Sequence, residues 1–409
     1  MGGAVVDYLA TVAAYPTPDQ KLRSESLEVQ GGGNCGNALT AASRLGLSPV
    51  LVTKIGADGV GDTILRELES DGIDTSCVLR AEGSPSPFTY IIVDRDGGTR
   101  TCIHTPGAPL DPEEMRQSLA GGPSILDSVL ADAALVYFDG RLTEAALLLA
   151  RRARQVGVPV LVEAERLRPN LEELLTLADY VVTSAHFPQE WTGASNFADA
   201  VLSTAQRLPN AKCVISTMGT RGSLMLCREG SSTSDNTCSI VDVVRQLEVE
   251  LEKQTANTKQ ASFDCVSRTG VEIRAGYVTQ SPGALPLTFS DSYDAEAARI
   301  SAEAAASREA TFNADASNAT GYQSTATKQP SLLSARVLRA SAAALPKSAV
   351  VDTTGAGDSF IGSVLYGLAT GMPYPEMLRL AAVVAACKCT EVGARAALPQ
   401  RSNLAAHLL

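Results

Sequence analysis

The chain has 409 residues, of which 45% are apolar, 19% charged and 5% aromatic, and its formal net charge at pH 7 is −11. This length allows one large α/β domain with an attachment or two ordinary domains, while the acidic balance without a basic patch argues against nucleic-acid binding. No apolar run approaches the roughly 20 residues of a membrane span, and nine scattered cysteines favour reduced thiols in a cytoplasmic protein.

Short β-branched runs alternate with longer amphipathic segments over the first 227 residues. The runs predict strands, and the segments between them predict helices that end at Gly46, Gly72 and Gly157. We expect strands at Val50–Ile55, Leu135–Phe138, Val160–Glu163, Tyr180–Thr183 and Cys213–Ser216, and helices at Asn37–Leu45, Asp62–Ser70, Thr143–Val156 and Phe197–Leu208. This alternation predicts an α/β fold whose central, mainly parallel sheet is sandwiched by helices and binds ligands beyond the carboxyl ends of its strands.

One segment interrupts the alternation. Phe88–Val93 and Arg100–His104 alternate with period two around the turn-forming residues at 94–98, which predicts a hairpin. Such a hairpin does not join the parallel sheet by a simple crossover. We therefore expect a small β lid over the strand ends, built from residues of about 8–30 and 86–106.

The region from 229 to 334 has a different composition. Ile240–Lys253 has the spacing of an amphipathic helix, Ala295–Ala310 is an Ala/Glu-rich candidate helix, and Thr311–Pro330 is polar. A polar, low-complexity stretch offers little to bury. We expect a long, partly disordered insertion without chemistry, within an α/β domain formed by residues 1–228 and 335–409.

The strongest chemical motif lies between Val350 and Phe360. A strand is expected to end at Asp352, and a helix to begin near Gly357, so that the amides of residues 355–358 point at one spot and favour an anion. A bulky residue at either glycine, 355 or 357, should destroy this pocket. Asp358 beside a phosphate suits a base that takes a proton from an attacking hydroxyl. The alternative is an ordinary helix start at which Asp358 stabilises the dipole.

Two distant motifs resemble the signatures of the ribokinase/PfkB carbohydrate kinases. Asp352-Thr-Thr-Gly-Ala-Gly-Asp358 is similar to the C-terminal signature, and Gly31-Gly-Gly-Asn-Cys-Gly-Asn37 with Lys54–Asp62 to the N-terminal one. The resemblance covers about residues 3–228 and 335–400. It implies a ribokinase-like fold and transfer of the γ-phosphoryl group of ATP, with Mg²⁺, to a sugar hydroxyl.

The resemblance also implies roles for individual residues. Asp358 matches the general base, and the anion hole is matched by Gly355, Ala356 and Gly357. The acceptor site is matched by Asp7, Gly32, Gly33 and Asn37, and the nucleotide turn by Thr217, Gly219 and Gly222. Asp352 matches a K⁺ site beside the anion hole. The position of Arg100 at the base of the hairpin's return strand suggests a guanidinium that reaches the phosphates when the lid closes, although a solvated arginine is the alternative.

Departures from the family pattern concern the metal and the branch. Ser184 and Phe187 occupy the slots of an Asn-x-x-Glu motif that often organises magnesium, so Glu163, with Glu165 beside it, is our candidate metal ligand. A solvated strand end explains both glutamates equally well. Asn34 replaces a lysine of ribokinases, which indicates a ketohexokinase-like or plant-type member. Relatives also have several residues before the Gly3–Asp7 element, so a plastid location with an incomplete N-terminus stays an alternative.

Other functions compete with a sugar kinase. A nucleoside kinase would use the same site, and a non-catalytic scaffold would keep the fold and bind a protein partner through the insertion. A dinucleotide oxidoreductase and a P-loop enzyme are excluded, because no Gly-x-Gly-x-x-Gly follows the first expected strand and no Gly-Lys-Ser/Thr marks a P-loop. The expected partner is a small-molecule sugar, without nucleic acid or membrane, and analogy with the family implies a homodimer paired through the lid.

Overall fold

The computed structural model describes residues 1–97, 99–117, 123–228, 240–247, 249, 271–280 and 333–409. The candidate helix at 295–310 and the polar stretch at 311–330 lie outside these residues. Of the helix expected at 240–253, residues 240–247 are helical.

Strands and helices are each numbered in chain order. The strands are β1 (Val5–Val12), β2 (Ser26–Gly32), β3 (Thr53–Gly56), β4 (Val78–Ala81), β5 (Phe88–Asp94), β6 (Thr99–Thr105), β7 (Val136–Phe138), β8 (Val160–Ala164), β9 (Tyr180–Thr183), β10 (Cys213–Thr217), β11 (Ser223–Arg228), β12 (Ile273–Gln280) and β13 (Leu333–Ala340). The helices are α1 (Asn34–Arg44), α2 (Gly59–Ser70), α3 (Ile125–Ser128), α4 (Thr143–Val156), α5 (Leu171–Thr176), α6 (Phe187–Thr192), α7 (Phe197–Arg207), α8 (240–247), α9 (Ala356–Thr370) and α10 (Tyr374–Lys388).

A seven-stranded sheet forms the centre, in the order β12-β13-β11-β10-β9-β8-β7. β7 to β10 are mutually parallel, and β11, β13 and β12 extend the sheet in antiparallel fashion. Helices cover both faces. Side chains of α4, α5, α7 and α8 form one core with alternate strand residues, and those of α1, α2, α9 and α10 form the other. The sheet sandwiched by helices that was expected from the sequence is therefore confirmed.

No helix of the described ranges has the length and apolarity to cross a membrane.

Local boundaries follow the sequence patterns closely. The helix Thr143–Val156 and the strand Tyr180–Thr183 coincide with the expected ranges, and Gly46, Gly72 and Gly157 have φ values of 110°, 76° and 80°. Those left-handed conformations favour glycine.

Part of the expected insertion belongs to the central sheet. Strand β12 lies inside the 229–334 range and pairs along its length with β13. Helix α8 packs over it, because a Cβ at Gly276 would lie 2.7 Å from Cγ1 of Val243, and Ile240, Val244 and Leu247 are buried. The strand was missed because Gly276 interrupts a short run of weak alternation.

The lid is a separate four-stranded sheet in the order β2-β1-β5-β6, and it contains the expected hairpin. It includes all of β1, so Asp7, just before the expected lid range of about 8–30, lies within a lid strand. The residues before β1 join the lid to the body: the Met1 amine donates to the carbonyl of Tyr137 at 2.7 Å, and Gly2 N donates to that of Val52 at 3.2 Å. Acceptor-binding candidates on the lid are thus anchored directly to the edge of the central sheet.

Candidate active site

The glycine-rich loop leads into helix α9. Gly355 has φ of 75° at the N-cap position, and a Cβ there would lie 2.8 Å from Cβ of Ala394. A Cβ at Gly357 would meet no atom within 4 Å. The expectation that both positions need glycine is therefore supported by packing at Gly355 alone. Gly357 instead leaves open space in front of the first-turn amides, where an anion is favoured.

The segment before this loop is not the expected strand. Among the described residues, 350–352 make no strand pairing; Val351 N donates to the carbonyl of Cys389 at 2.8 Å. The loop is therefore fastened to the end of α10 and not to the sheet, because its extended residues find their backbone partners there.

Asp352 holds the loop through both its carboxylate and its carbonyl. Its carboxylate accepts from Thr354 N at 2.9 Å, from Thr354 Oγ1 at 2.7 Å and from Gly393 N at 2.8 Å. Burial by itself would raise the pKa of Asp352, but these hydrogen bonds outweigh it and lower the pKa. The ammonium of the buried Lys388 donates to the carbonyls of Asp352 at 2.7 Å and Glu391 at 3.2 Å. Both oxygens of the Asp352 carboxylate are thus occupied by protein donors.

Asp358 lies beside the open first turn of α9. Asn37 Nδ2 donates to Asp358 Oδ2 at 2.8 Å, and Arg395 Nε donates to Asn37 Oδ1 at 2.9 Å. Burial raises the pKa of Asp358 to about 6, with the Asn37 hydrogen bond acting in the opposite direction and the charge of Glu165 adding to the rise. A carboxylate with this pKa is ionised at neutral pH and is more basic than an ordinary aspartate, as suits a general base.

Asp7 and the glycines at 32 and 33 form the neighbouring part of the candidate site. Asp7 is 6% exposed, and a Cβ at Gly32 would overlap its carboxylate. Gly33 turns the chain into α1 with φ of 87°, where a Cβ would lie 2.5 Å from the carbonyl of Gly3. Burial raises the pKa of Asp7 to about 6, against a hydrogen bond from Thr89. The structure therefore brings the predicted acceptor residues together.

Glu163 does not present a metal-binding carboxylate. It accepts from Tyr137 Oη at 2.6 Å and from Asn34 Nδ2 at 3.0 Å, and it is 6% exposed. Burial, followed by the negative charge of Asp358, raises the pKa of Glu163 to about 8. Oε1 accepts from the Asn34 amide and Oε2 from the Tyr137 hydroxyl, and a largely protonated carboxyl is a poor ligand for Mg²⁺.

The neighbouring Glu165 pairs with cations of the protein. Arg141 Nη2 lies 3.3 Å from Glu165 Oε2 and 3.0 Å from Asn34 Oδ1, and Ser184 Oγ donates to the Glu165 carbonyl at 2.8 Å. Phe187 is fully buried. The two slots of the absent magnesium motif thus have structural roles, and the described residues contain no group of three His, Cys, Asp or Glu side chains placed to hold a metal.

Arg100 connects the lid to the glycine-rich loop. Its Nη1 lies 2.8 Å from Thr353 Oγ1, and both side chains are exposed. A guanidinium in this position can pair with phosphate oxygens at the loop.

The predicted nucleotide turn divides into an open and a packed part. Thr217 ends β10 and its Oγ1 donates to the Thr183 carbonyl at 3.3 Å. A Cβ at Gly222, where φ is 84°, would overlap the Ala340 carbonyl, whereas one at Gly219 would meet nothing within 4 Å. Gly222 is therefore explained by backbone packing, and Thr217 and Gly219 remain the candidates for contact with a nucleotide.

Sequence analysis did not identify several residues of the site. Arg395 and Lys388 are both buried and contact the candidate residues directly, as do Tyr137 and Arg141. A signal existed for the first two, since each is an isolated charge within the apolar stretch 380–398. Buried charges are rare unless they are paired or hydrogen-bonded.

The chain is similar in sequence and fold to carbohydrate kinases. The model of the pfkB family carbohydrate kinases matches residues 2–244 and 295–401. A ribokinase of Staphylococcus aureus is 33% identical over 98 residues, which are 24% of this chain and 32% of the relative; one of Haemophilus influenzae is 24% identical over 237 residues, 57% of this chain and 74% of the relative. The structure of Arabidopsis thaliana ribokinase complexed with ribose and ATP has a TM-score of 0.60 at 16% identity, over 98% of this chain and 95% of the other. This last likeness shows a ribokinase-like fold.

Proposed function

Because the chain belongs to the PfkB family of carbohydrate kinases, we propose that it transfers the γ-phosphoryl group of ATP to a hydroxyl of a sugar. One observation carries the proposal: the Asp358 carboxylate lies next to the open helix start at Gly357 and is hydrogen-bonded to Asn37 of the other signature. A base, an anion site and an acceptor-binding amide are thus together.

In the proposed reaction Asp358 is the general base. Its Oδ2 is bonded to Asn37, while Oδ1 makes no hydrogen bond to the described part of the protein, so Oδ1 is available to the attacking hydroxyl. The hydroxyl oxygen forms a bond to the γ-phosphorus as the bond to the β,γ-bridging oxygen breaks, and its proton passes to Asp358. Ala356 N already donates to the Thr353 carbonyl at 3.2 Å, so the amides of Gly355, Gly357 and Asp358 would stabilise charge on the equatorial oxygens.

Asp7 and Asn37 position the acceptor in this proposal. A carboxylate accepts from a hydroxyl and an amide donates to one, so the pair fixes neighbouring hydroxyl groups. Ketohexoses such as fructose, and ribose, are the first acceptors to test. Arg100 would approach the phosphates with the lid, excluding water from the reaction.

ATP fits the site because the loop offers amides and open space to an anion. Mg²⁺ bound to the phosphates would neutralise their charge, and this ion commonly keeps several of its waters. The two residues expected to hold metals do not fit that role here. Glu163 is bonded to Tyr137 and Asn34, and the atoms that Asp352 could offer to K⁺ are taken by Thr354, Gly393 and Lys388.

A nucleoside acceptor is less well supported. The lid aromatics Tyr8, Phe88 and Tyr90 pack on one another, with ring centroids 5.1–6.0 Å apart. In the strand register Asp7 lies opposite Thr89, and Tyr8 lies opposite Tyr90. Because successive residues of a strand face opposite sides, the aromatic group is on the far side of the lid from Asp7 and does not form a wall for a base.

The test is ADP formation from ATP with a panel of ketohexoses, ribose and nucleosides, repeated with Asp358→Ala. Acceptor-dependent ADP formation that is lost in the variant supports the kinase. A wild-type protein that forms no ADP with any acceptor, but still binds a protein partner, would instead support the non-catalytic scaffold.

A homodimer through the lid is also proposed. Cross-strand neighbours Val29, Tyr8, Tyr90 and Ile103 form an apolar row on the outer lid face, and Val29, Tyr90 and Ile103 are each exposed by about half. An isologous contact with a second copy would bury this row.

A further inference from the structure

Arg395 is a buried arginine that lies between Asn37, Gly32 and Glu67. It is 7% exposed and follows the loop that leaves α10. Its Nε donates to Asn37 Oδ1 at 2.9 Å, its Nη2 donates to the Gly32 carbonyl at 3.0 Å, and its Nη1 lies 3.8 Å from Glu67 Oε2. One guanidinium therefore joins the acceptor loop, the amide that binds the base, and helix α2.

Two glycines of the N-terminal signature make room for this side chain. A Cβ at Gly31 would overlap Nη1 and Cζ of Arg395, and a Cβ at Gly36 would lie 2.5 Å from Nη2. Neither glycine has a positive φ, so backbone conformation does not require them. Their absence of side chains matches the presence of the guanidinium, which indicates a fitted site for it.

The guanidinium determines which way the Asn37 amide points. An arginine has only donors, so the atom that Nε contacts must be the amide oxygen. The amide nitrogen then faces Asp358, with one N–H donated to Oδ2 and the second left for a ligand. Without Arg395, the Asn37 amide could rotate by 180° without losing a hydrogen bond to arginine. Its oxygen would then face Asp358, so the donor to Asp358 would no longer be fixed.

We infer that Arg395 is a positioning residue of the phosphoryl transfer, which acts through Asn37 to keep a hydrogen-bond donor on Asp358 and to commit the other amide N–H to the acceptor. The inference rests on the proposed function for its catalytic meaning. It also restricts the acceptor: the group that meets Asn37 offers an oxygen lone pair, while the groups that meet Asp7 and Asp358 offer hydroxyl hydrogens. A polyol with neighbouring hydroxyls satisfies all three.

Other charges also face these groups. Glu67, Asp71, Asp7 and Arg44 surround Arg395, and Glu165, Arg141 and Asp139 act on Asp358. Arg395 lowers the pKa of Asp7 directly, so loss of its charge changes acceptor binding by a second route. One route acts through Asn37 on Asp358, and the other acts directly on Asp7. Replacing Asn37 removes only the first route, so a variant of Asn37 distinguishes the two.

The experiment is a double-mutant cycle read by the pKa of the Asp358 carboxyl. The protein carries ¹³C in the aspartate carboxyl carbons, the Asp358 resonance is assigned with Asp358→Asn, and it is titrated in wild type, Arg395→Met, Asn37→Leu and the double variant. We expect both single variants to raise this pKa by at least about half a unit, since each removes the fixed donor. The double variant should raise it no further than Asn37→Leu alone. An unchanged pKa in Arg395→Met, or additive shifts, overturns the inference.

Two controls separate this role from general stabilisation. Arg228→Met removes another partly buried arginine, whose guanidinium bonds the carbonyls of Ala211 and Leu208, and it should leave the Asp358 titration unchanged. ADP binding, measured by calorimetry, reports whether Arg395→Met is folded. A second variant, Arg395→Ala, is titrated with added guanidinium, which should return the pKa of Asp358 towards its wild-type value. Failure of the kinase proposal would appear separately, as absence of ADP formation by wild type.

Discussion

Asn37 and Asp358 are 321 positions apart in the chain, yet Asn37 Nδ2 lies 2.8 Å from Asp358 Oδ2. Helices α1 and α9 approach closely enough for this contact because α9 has a glycine where they cross: a Cβ at Gly362 would overlap the Ala38 carbonyl. The contact unites the two signatures at a single carboxylate. In the proposed reaction one signature supplies the base and the other orients it.

Asp358→Asn is expected to lower kcat by at least about a hundredfold, because positioned general-base catalysis is typically worth about 10²–10⁴-fold. The amides of the loop are unchanged, so ADP binding should persist within a fewfold. Steady-state kinetics and calorimetry measure the two effects. Asp199→Asn, in the first turn of α7, is the matched control and should keep full activity. Near-normal turnover in Asp358→Asn would remove this residue from the mechanism.

The pH profile of kcat/KM for the acceptor should have an acidic limb near pH 6. Burial raises the pKa of Asp358 to about 6 in the ligand-free protein, and only the ionised form accepts a proton, so kcat/KM should fall about tenfold for each pH unit below this value. The limb is measured with the acceptor well below its KM, from pH 4.5 to 8. A profile that stays flat down to pH 4.5 would show that an ordinary, unperturbed carboxylate or no carboxylate limits the rate.

Alanine at the two loop glycines should have opposite effects on stability. Gly355→Ala should destabilise the protein, because a left-handed conformation costs a non-glycine residue roughly 1–2 kcal/mol and the new methyl meets Ala394. Gly357→Ala should be neutral or slightly stabilising within helix α9, yet raise the KM for ATP as its methyl enters the open space. Chemical denaturation and kinetics separate these outcomes. Equal destabilisation by both would contradict the packing difference.

Arg100→Met should raise the KM for ATP by roughly ten- to a hundredfold, since a hydrogen bond to a charged partner contributes about 1.5–3 kcal/mol. The reason is loss of the lid guanidinium that lies 2.8 Å from Thr353 Oγ1. Arg95→Met is the control, because Arg95 belongs to the same lid but pairs with Glu25 at the hairpin tip. If both variants behave alike, the effect comes from lid charge in general and not from this contact.

The outer lid face offers a test of assembly. Tyr90→Lys places a charge in the apolar row of Val29, Tyr8 and Ile103 and should convert a dimer into a monomer, because an unpaired buried charge is costly. Sedimentation velocity over a range of concentrations measures this. Tyr15→Lys replaces a tyrosine of similar exposure outside the lid strands and should leave the dimer intact. A wild-type monomer at all concentrations would overturn the proposed dimer.

Much of the architecture was predictable, because periodicity and turn chemistry act over short distances. The strand Tyr180–Thr183, the helix Thr143–Val156 and the lid hairpin all depend on neighbours within a few residues. The conformation at Gly355 was equally local, and the glycine motif correctly indicated a helix start at this place. Strand β12 was missed, because its place at the sheet edge depends on pairing with β13 across a long separation.

The roles of the charged side chains were decided by tertiary structure. Glu163 stood at a strand end, like a metal ligand, but Tyr137 and Asn34 occupy its oxygens. Lys388 and Arg395 were visible only as isolated charges in an apolar stretch, and their partners are backbone oxygens and an amide brought in by packing. Local sequence patterns were sufficient to place a glycine-rich helix start with the Asp358 carboxylate in its first turn. Which oxygen each donor meets, and so each group's pKa and availability, was decided only when distant segments packed together and excluded water from between them.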